Sequence, residues 1–150
     1  MKKWILAGLF LCLLCGLAGC TEVTAEVDID DCVDFVQENV AFDDTLEELE
    51  RDIITWRYGI DDTVDARAFV GSGATAEEFC VMKATDETQA AGVFAALEQH
   101  LTDMRDSFAD YLPLEVTKID RAFLKQYGNT VVLVISADTD LEQKMTSYFK

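Results

Sequence analysis

TVVLVISA, residues 130–137, is the stretch that decides the fold. Val131 to Ile135 is an unbroken apolar run, and all of it but Leu133 is β-branched. Branching at Cβ restricts χ1 and suits a pleated strand better than a helix. The run has no polar alternation, so both of its faces must be covered, which places it in the middle of a sheet. RAFLKQY precedes it across Gly128-Asn129, a pair suited to positive φ, so the two segments read as a hairpin.

Working outward, VDARAFV (64–70) and EEFCVMKA (77–84) read as two more strands joined through Gly71-Ser72-Gly73. EEFCVMKA and TVVLVISA are the most apolar and are expected to be central. Between the two hairpins, Ala90, Phe94, Leu97, Leu101, Met104 and Phe108 recur at steps of four and three, a long amphipathic helix. Asp86 with Gln89 can cap its start, and Pro113 bars its continuation. Residues 114–119 read as a further helical turn.

Two helices are expected before the strands. Ile29, Val33, Val36 and Val40 give the first its stripe, with Asp28 or Asp30 as cap. The second is expected in DDTLEELERDIITWRYG, with a Thr45/Glu48 capping box, a Leu46, Leu49, Ile53 and Trp56 stripe, and Gly59 as its stop. A last helix follows a Thr139/Glu142 box, with Leu141, Met145 and Tyr148 facing inward. The order is ααββαββα. It describes an α+β domain with a four-stranded, mostly antiparallel sheet and the long helix across one face.

The first twenty residues, MKKWILAGLFLCLLCGLAGC, belong to a different kind of segment. Lys2 and Lys3 precede an uncharged apolar run from Trp4 to Cys15, too short for the ~20 residues that a spanning helix needs. This is the layout of a signal peptide. Leu17-Ala18-Gly19-Cys20 then resembles a bacterial lipobox, in which the cysteine sulfur takes a diacylglyceryl group and the chain is cut between Gly19 and Cys20. Residues 1–19 are expected to leave as signal, 20–27 to form a lipidated cysteine and short acidic tether, and 28–150 to form one domain. Acyl chains contribute ~0.8 kcal/mol per buried methylene, so two or three of them hold a protein durably at a membrane.

The whole chain has a formal net charge of −17; without Lys2 and Lys3 the remainder stands at −19. Such a surface repels nucleic acid, which excludes that partner class. It also repels anionic headgroups, a repulsion that a lipid anchor overcomes. Three acidic clusters, around Asp28 to Asp34, Asp61 to Asp65 and Asp138 to Glu142, have the oxygen ligands that hard cations favour but none of the spacing of an EF-hand. Solvated helix starts and loops account for them. Cys32 and Cys80 either pair, as an extracytoplasmic address permits, or stay as small buried hydrophobes; their apolar neighbours favour the thiols. His100 is the only histidine, and a Cys80–His100 dyad is conceivable, although Cys80 sits inside a strand. Tyr58-Gly59-Ile60 and Tyr111-Leu112-Pro113 follow helices and are expected to close them by packing a ring. Gly71-Ser72-Gly73 lacks the Lys-Ser/Thr of a phosphate loop. No catalytic residue, metal ligand or cofactor is assigned.

A lipobox and an acidic segment are followed by YGID (58–61), SGATAEEFCVMKA (72–84), F-x-x-Y-x-P at Phe108, Tyr111 and Pro113, and YGNTVVLVIS (127–136). Together these resemble the family of small Gram-positive bacterial lipoproteins known as domain of unknown function 4358. The likeness extends over most of residues 28–150. It implies a lipid-anchored extracytoplasmic domain, with no activity and no functional residues attached. The expectation is therefore a lipoprotein held in the membrane through Cys20. It would serve as a non-catalytic interaction module for an envelope protein or, as the alternative, bind a small ligand or cation.

Overall fold

In the computed structural model, which describes residues 26–150, each residue of TVVLVI is buried. This strand, β5 (Thr130–Ile135), has its two faces covered by different layers. Val131, Leu133 and Ile135 enter one apolar cluster, Val132 and Val134 the other. Burying each such side chain contributes about 1.5–3 kcal/mol relative to leaving it in water.

The other elements, in chain order, are α1 (Ile29–Asn39), β1 (Glu47–Glu48), α2 (Arg51–Tyr58), β2 (Asp65–Val70), β3 (Glu78–Lys83), α3 (Glu87–Ala109), α4 (Pro113–Asp120), β4 (Phe123–Tyr127) and α5 (Leu141–Tyr148). The sheet order is β1-β2-β3-β5-β4, and every neighbouring pair is antiparallel. β3 and β5 are interior, as their composition requires, with Cys80 opposite Leu133 and Val81 opposite Val132. α2, α3 and α4 cover the face that carries Cys80, Met82 and Leu133. α1 and α5 cover the face that carries Phe79, Val81 and Val134.

The α+β class holds, but the sheet has five strands instead of the four expected. The additional strand is β1, inside the segment read as the start of the second helix. Leu46 packs with the α1/α5 cluster and Leu49 with the α2/α3 cluster. That division over three residues is strand geometry, not a helical stripe. Leu49 N–H donates to the Ala68 carbonyl at 2.8 Å, and the Arg67 guanidinium grips both Glu48 oxygens, at 2.6 and 2.9 Å. The edge of β2 thus takes the residues that a helix would have used, and α2 starts only at Arg51. No Thr45/Glu48 box forms. The buried side chains of α2 are Ile54 and Tyr58, while Ile53 and Trp56 are exposed.

Local signals fare better elsewhere. Asp28 caps α1 by accepting from Asp31 N–H at 3.0 Å. Asp86 caps α3 through Gln89 N–H at 2.8 Å, and the Gln89 amide oxygen accepts from Thr85 N–H at 2.8 Å. Gly128 turns the β4–β5 hairpin at φ 56°, and Gly59 ends α2 at φ 63°. Residues 113–120 form a full eight-residue helix, α4, with Pro113 at its first position, where the missing N–H costs nothing. The Thr139/Glu142 box does not form. Instead Asp138 turns the chain into α5, accepting from Asp140 N–H at 2.9 Å, Ala41 N–H at 3.0 Å and Lys144 Nζ at 2.6 Å.

The expected signal segment, the lipobox-like Leu17 to Cys20 and the expected lipidation at Cys20 lie outside the described residues. Glu26 and Val27, at the end of the expected tether, are held against the domain. Val27 is buried with the α1/α5 cluster, and Glu26 pairs with Lys83 at 2.5 Å. Among the described residues, no helix is long and apolar enough to cross a membrane.

Candidate functional site

Two glutamates stand at the start of β3: Glu77 immediately before it and Glu78 as its first residue. Glu78 shares its face with Cys80 and Met82, beneath α2 and α3. Its side chain is 1% exposed and meets three others: Arg57 at 2.5 Å, His100 Nε2 at 2.6 Å and the Tyr58 hydroxyl at 3.4 Å. Arg57 and Tyr58 come from the last turn of α2, and His100 from the middle of α3. The His100 ring stands edge-on to Tyr58, 4.8 Å between centroids.

Burial pushes the Glu78 carboxyl up. The hydrogen bond and charge of His100, followed by those of Arg57, outweigh burial and hold it below the ordinary carboxylate range. Tyr58 is pushed well up, first by burial and then by the Glu78 charge. The same two causes push Cys80 well up. A thiol so placed is not the thiolate that nucleophilic chemistry needs. Its hydrogen-bond partner is the Leu133 backbone, and His100 Nε2 is engaged by Glu78, so Cys80 and His100 do not form a dyad. Cys32 and Cys80 are both free and buried, in clusters on opposite sides of the sheet. The sheet lies between them, and in this structure neither pairs with the other.

Above this charged floor lies a groove of about 490 Å³ along α3, lined by Trp56, Arg57, Glu78, His100, Asp103 and Tyr111 among others. A smaller hollow of about 340 Å³ adjoins it and shares Trp56, Arg57, His100 and Asp103. Two lining residues are large aromatics left in water: Trp56 is 83% exposed and Tyr111 62%. The sequence placed Trp56 on an inward stripe and Tyr111 as a helix closure. Tyr58 does close its helix, whereas Tyr111 only stacks on Phe108, at 5.6 Å, and keeps most of its ring free.

The β2–β3 loop forms the groove's far wall. Asp44 braces it, accepting from Ser72 N–H and Ser72 Oγ, both at 2.8 Å, and from Thr75 Oγ1 at 3.1 Å. The Ser72 bonds, first its hydroxyl and then its N–H, hold Asp44 below the ordinary range. A Cβ on Gly71 would sit 2.7 Å from Asp44 Oδ2 and 3.1 Å from Thr75 Oγ1. Gly71→Ala should therefore cost about 1–3 kcal/mol in urea unfolding, as overpacking does. Combined with Asp44→Ala it should cost less than the two changes summed, because both act on one contact. Additive costs would show that Gly71 and Asp44 are not coupled.

The acidic clusters are largely spoken for. Asp28 caps α1, Asp30 meets Arg67 at 3.0 Å, Asp61 accepts from Thr63 N–H at 2.8 Å, and Asp138 turns the chain into α5. Among the described residues, no group of three or more His, Cys, Asp or Glu is arranged to hold a metal ion. The buried Glu77 and Glu78 went unnoticed in the sequence, although one signal was present. Two acids precede the apolar run Phe79 to Met82, and period two puts Glu78 on the same inner face as Cys80 and Met82.

No curated protein and no solved structure matches the chain. The family model described as Domain of unknown function (DUF4358) matches residues 39–136, from the last residue of α1 to just past β5, including every side chain of the groove. That span contains YGID, SGATAEEFCVMKA, F-x-x-Y-x-P and YGNTVVLVIS, and the chain belongs to this family.

Proposed function

We propose that this protein is a bacterial lipoprotein, anchored by lipid on Cys20 at the extracytoplasmic face of the membrane. Its domain is a non-catalytic interaction module that docks an envelope protein in the α2–α3 groove. The observation that carries the reading is the exposure of Trp56 and Tyr111 on one groove. Tryptophan, tyrosine and arginine dominate binding hot spots, and large aromatics left in water around a concavity mark interaction surfaces. The anchor reading rests on Leu17-Ala18-Gly19-Cys20.

The placement of Glu26 supports the same arrangement. It pairs with Lys83 at the end of β3 opposite Glu78. At about 3.3 Å per residue, the groove floor lies roughly 17 Å along the strand from the point where the tether arrives. A domain held by its Lys83 end presents the groove away from the bilayer. A second reading, a small-ligand lipoprotein, draws on the groove's size, since ligand sites run about 300–1,000 Å³.

The test is site-specific photocrosslinking in living cells, with a photoreactive amino acid at position 56 or, on the exposed side of α1, at position 34. Position 56 should trap one defined envelope protein and position 34 should not. Cys20→Ala should abolish palmitate labelling, release the protein from the membrane fraction and sharply reduce the crosslink. Equal, scattered products from both positions would remove the docking reading. A Cys20→Ala protein that stays in the membrane would remove the anchor.

A further inference from the structure

We infer that the groove seats a basic side chain, lysine or arginine, carried on an extended segment of the docked partner; this rests on the interaction-module reading. The groove's own basic side chains, Arg57 and His100, both meet Glu78. Nearby Lys118 is likewise spent, on Asp43 at 3.0 Å, Glu115 at 3.3 Å and Glu77 at 3.4 Å. Asp103 is left as the lining carboxylate that faces no cation among the described residues. Its one side-chain partner there is the Gln99 amide, at 2.8 Å on Oδ1.

Asp103 and Trp56 line both adjoining hollows, so a carboxylate and an exposed indole bound the same space. That combination suits a cation twice, by charge pairing and by the negative face of the ring. The surrounding field has the same sign. With Lys2 and Lys3 removed the chain stands at −19, which attracts basic segments and repels acidic ones. Length fits as well. From Asp103 to its end at Ala109, two residues short of Tyr111, α3 rises about 9 Å, the span of about three extended residues. A basic side chain against Trp56 and Asp103 therefore leaves Tyr111 within reach of an apolar neighbour in the same segment. A membrane surface is the less favoured occupant, because the tether arrives at the opposite end of β3.

The full chain carrying Trp4→Phe, purified in nonionic detergent, leaves Trp56 as its only tryptophan and its emission as a direct reporter. The probe is a capped pentapeptide with one arginine among alanines and leucines, compared with the same peptide carrying citrulline, an uncharged isostere. The arginine peptide should shift Trp56 emission saturably and bind roughly tenfold tighter than its counterpart. Asp103→Asn should erase most of that preference. Asp34→Asn, which removes the same charge from the α1 face, should leave affinity within about twofold.

Equal binding of the two peptides, or no saturable shift with either, overturns the inference. So do equal losses in Asp103→Asn and Asp34→Asn, which would reduce the effect to net charge. A shift with phosphatidylglycerol vesicles but not with peptide assigns the groove to the membrane and also overturns it. The docking reading is judged separately. Capture of an envelope protein from position 56, with equal binding of the arginine and citrulline peptides, keeps docking and discards the basic side chain.

Discussion

Replacing Glu77 with alanine should lower the unfolding free energy by about 3–5 kcal/mol, the largest loss expected from any single polar residue in this domain. The side chain is wholly buried. Its Oε2 accepts from Asp43 N–H at 2.7 Å and Asp44 N–H at 2.8 Å, and its Oε1 from Ala137 N–H at 2.8 Å and Lys118 Nζ at 3.4 Å. One carboxylate thus ties the approach to β1, the exit of β5 and α4 to the start of β3. Alanine leaves three backbone donors without their acceptor, and an unmet buried donor costs about 1–3 kcal/mol. The groove wall should loosen too, since Asp44 braces the β2–β3 loop from this same junction. Glu77→Gln keeps the shape but turns an amide N–H₂ toward one set of donors, so its cost should fall between alanine and wild type. Urea unfolding with an unchanged m-value checks this. A loss below about 1 kcal/mol for alanine would show that the four bonds are replaced by water at no cost.

The second large effect concerns the pair beneath the groove, where the two partners should not be equivalent. Arg57→Met should cost about 3 kcal/mol near neutral pH, and Glu78→Gln clearly less. The reason is burial: the Glu78 side chain is 1% exposed and Arg57 33%. A carboxylate deprived of its guanidinium stays buried, with the His100 ring and the Tyr58 hydroxyl as its remaining partners, whereas an arginine deprived of its carboxylate can turn toward water. The pH dependence has a definite sign. Glu78 is held below its ordinary value of 4.5 in the folded state, so its contribution is complete above about pH 4.5 and is lost as pH falls through the lower folded value. Other carboxylates held down by their partners, Asp138 among them, act in the same direction. The difference between wild type and Glu78→Gln isolates this group: the wild type should lose its advantage as the medium becomes acidic. A constant difference across that range, or equal costs for the two substitutions at neutral pH, would show that Glu78 is not held as a buried ion.

The two results would separate the fold from the site. Glu77 faces the backbone and serves the fold. Glu78 faces the groove and engages both basic side chains there, Arg57 and His100. A groove that kept Arg57 and His100 free would favour an anionic occupant. This one presents Asp103 and the two exposed aromatics, the arrangement that the proposed docking requires.

Several parts of the architecture could be read from the sequence because their causes are local. β-branching and the lack of polar alternation in TVVLVISA called for an interior strand, and β5 is buried on both faces. The spacing from Ala90 to Phe108 and the Asp86/Gln89 cap defined α3, and Gly128 marked a turn whose backbone it alone adopts cheaply. Each rests on interactions within a few residues of one another.

The misread parts are those in which a distant partner outweighs a local preference. Thr45 to Leu49 has the pattern of a helix start, but the open edge of β2 and the Arg67 fork compete for those residues and prevail. Once α2 begins at Arg51, Ile54 and Tyr58 turn inward and Trp56 outward, so an apparent core residue becomes an exposed aromatic of the groove. Asp138 displaces the Thr139/Glu142 box in a similar way, with bonds reaching back to Ala41. The sequence by itself determined the interior strands, the long helix and the acidic surface, each a matter of local propensity or composition. Only the tertiary structure decided that Glu78 meets Arg57 and His100, 21 and 22 residues away, and that Trp56 and Tyr111 border one groove. Those pairings exist only once the sheet and helices have packed, and no local spacing encodes them.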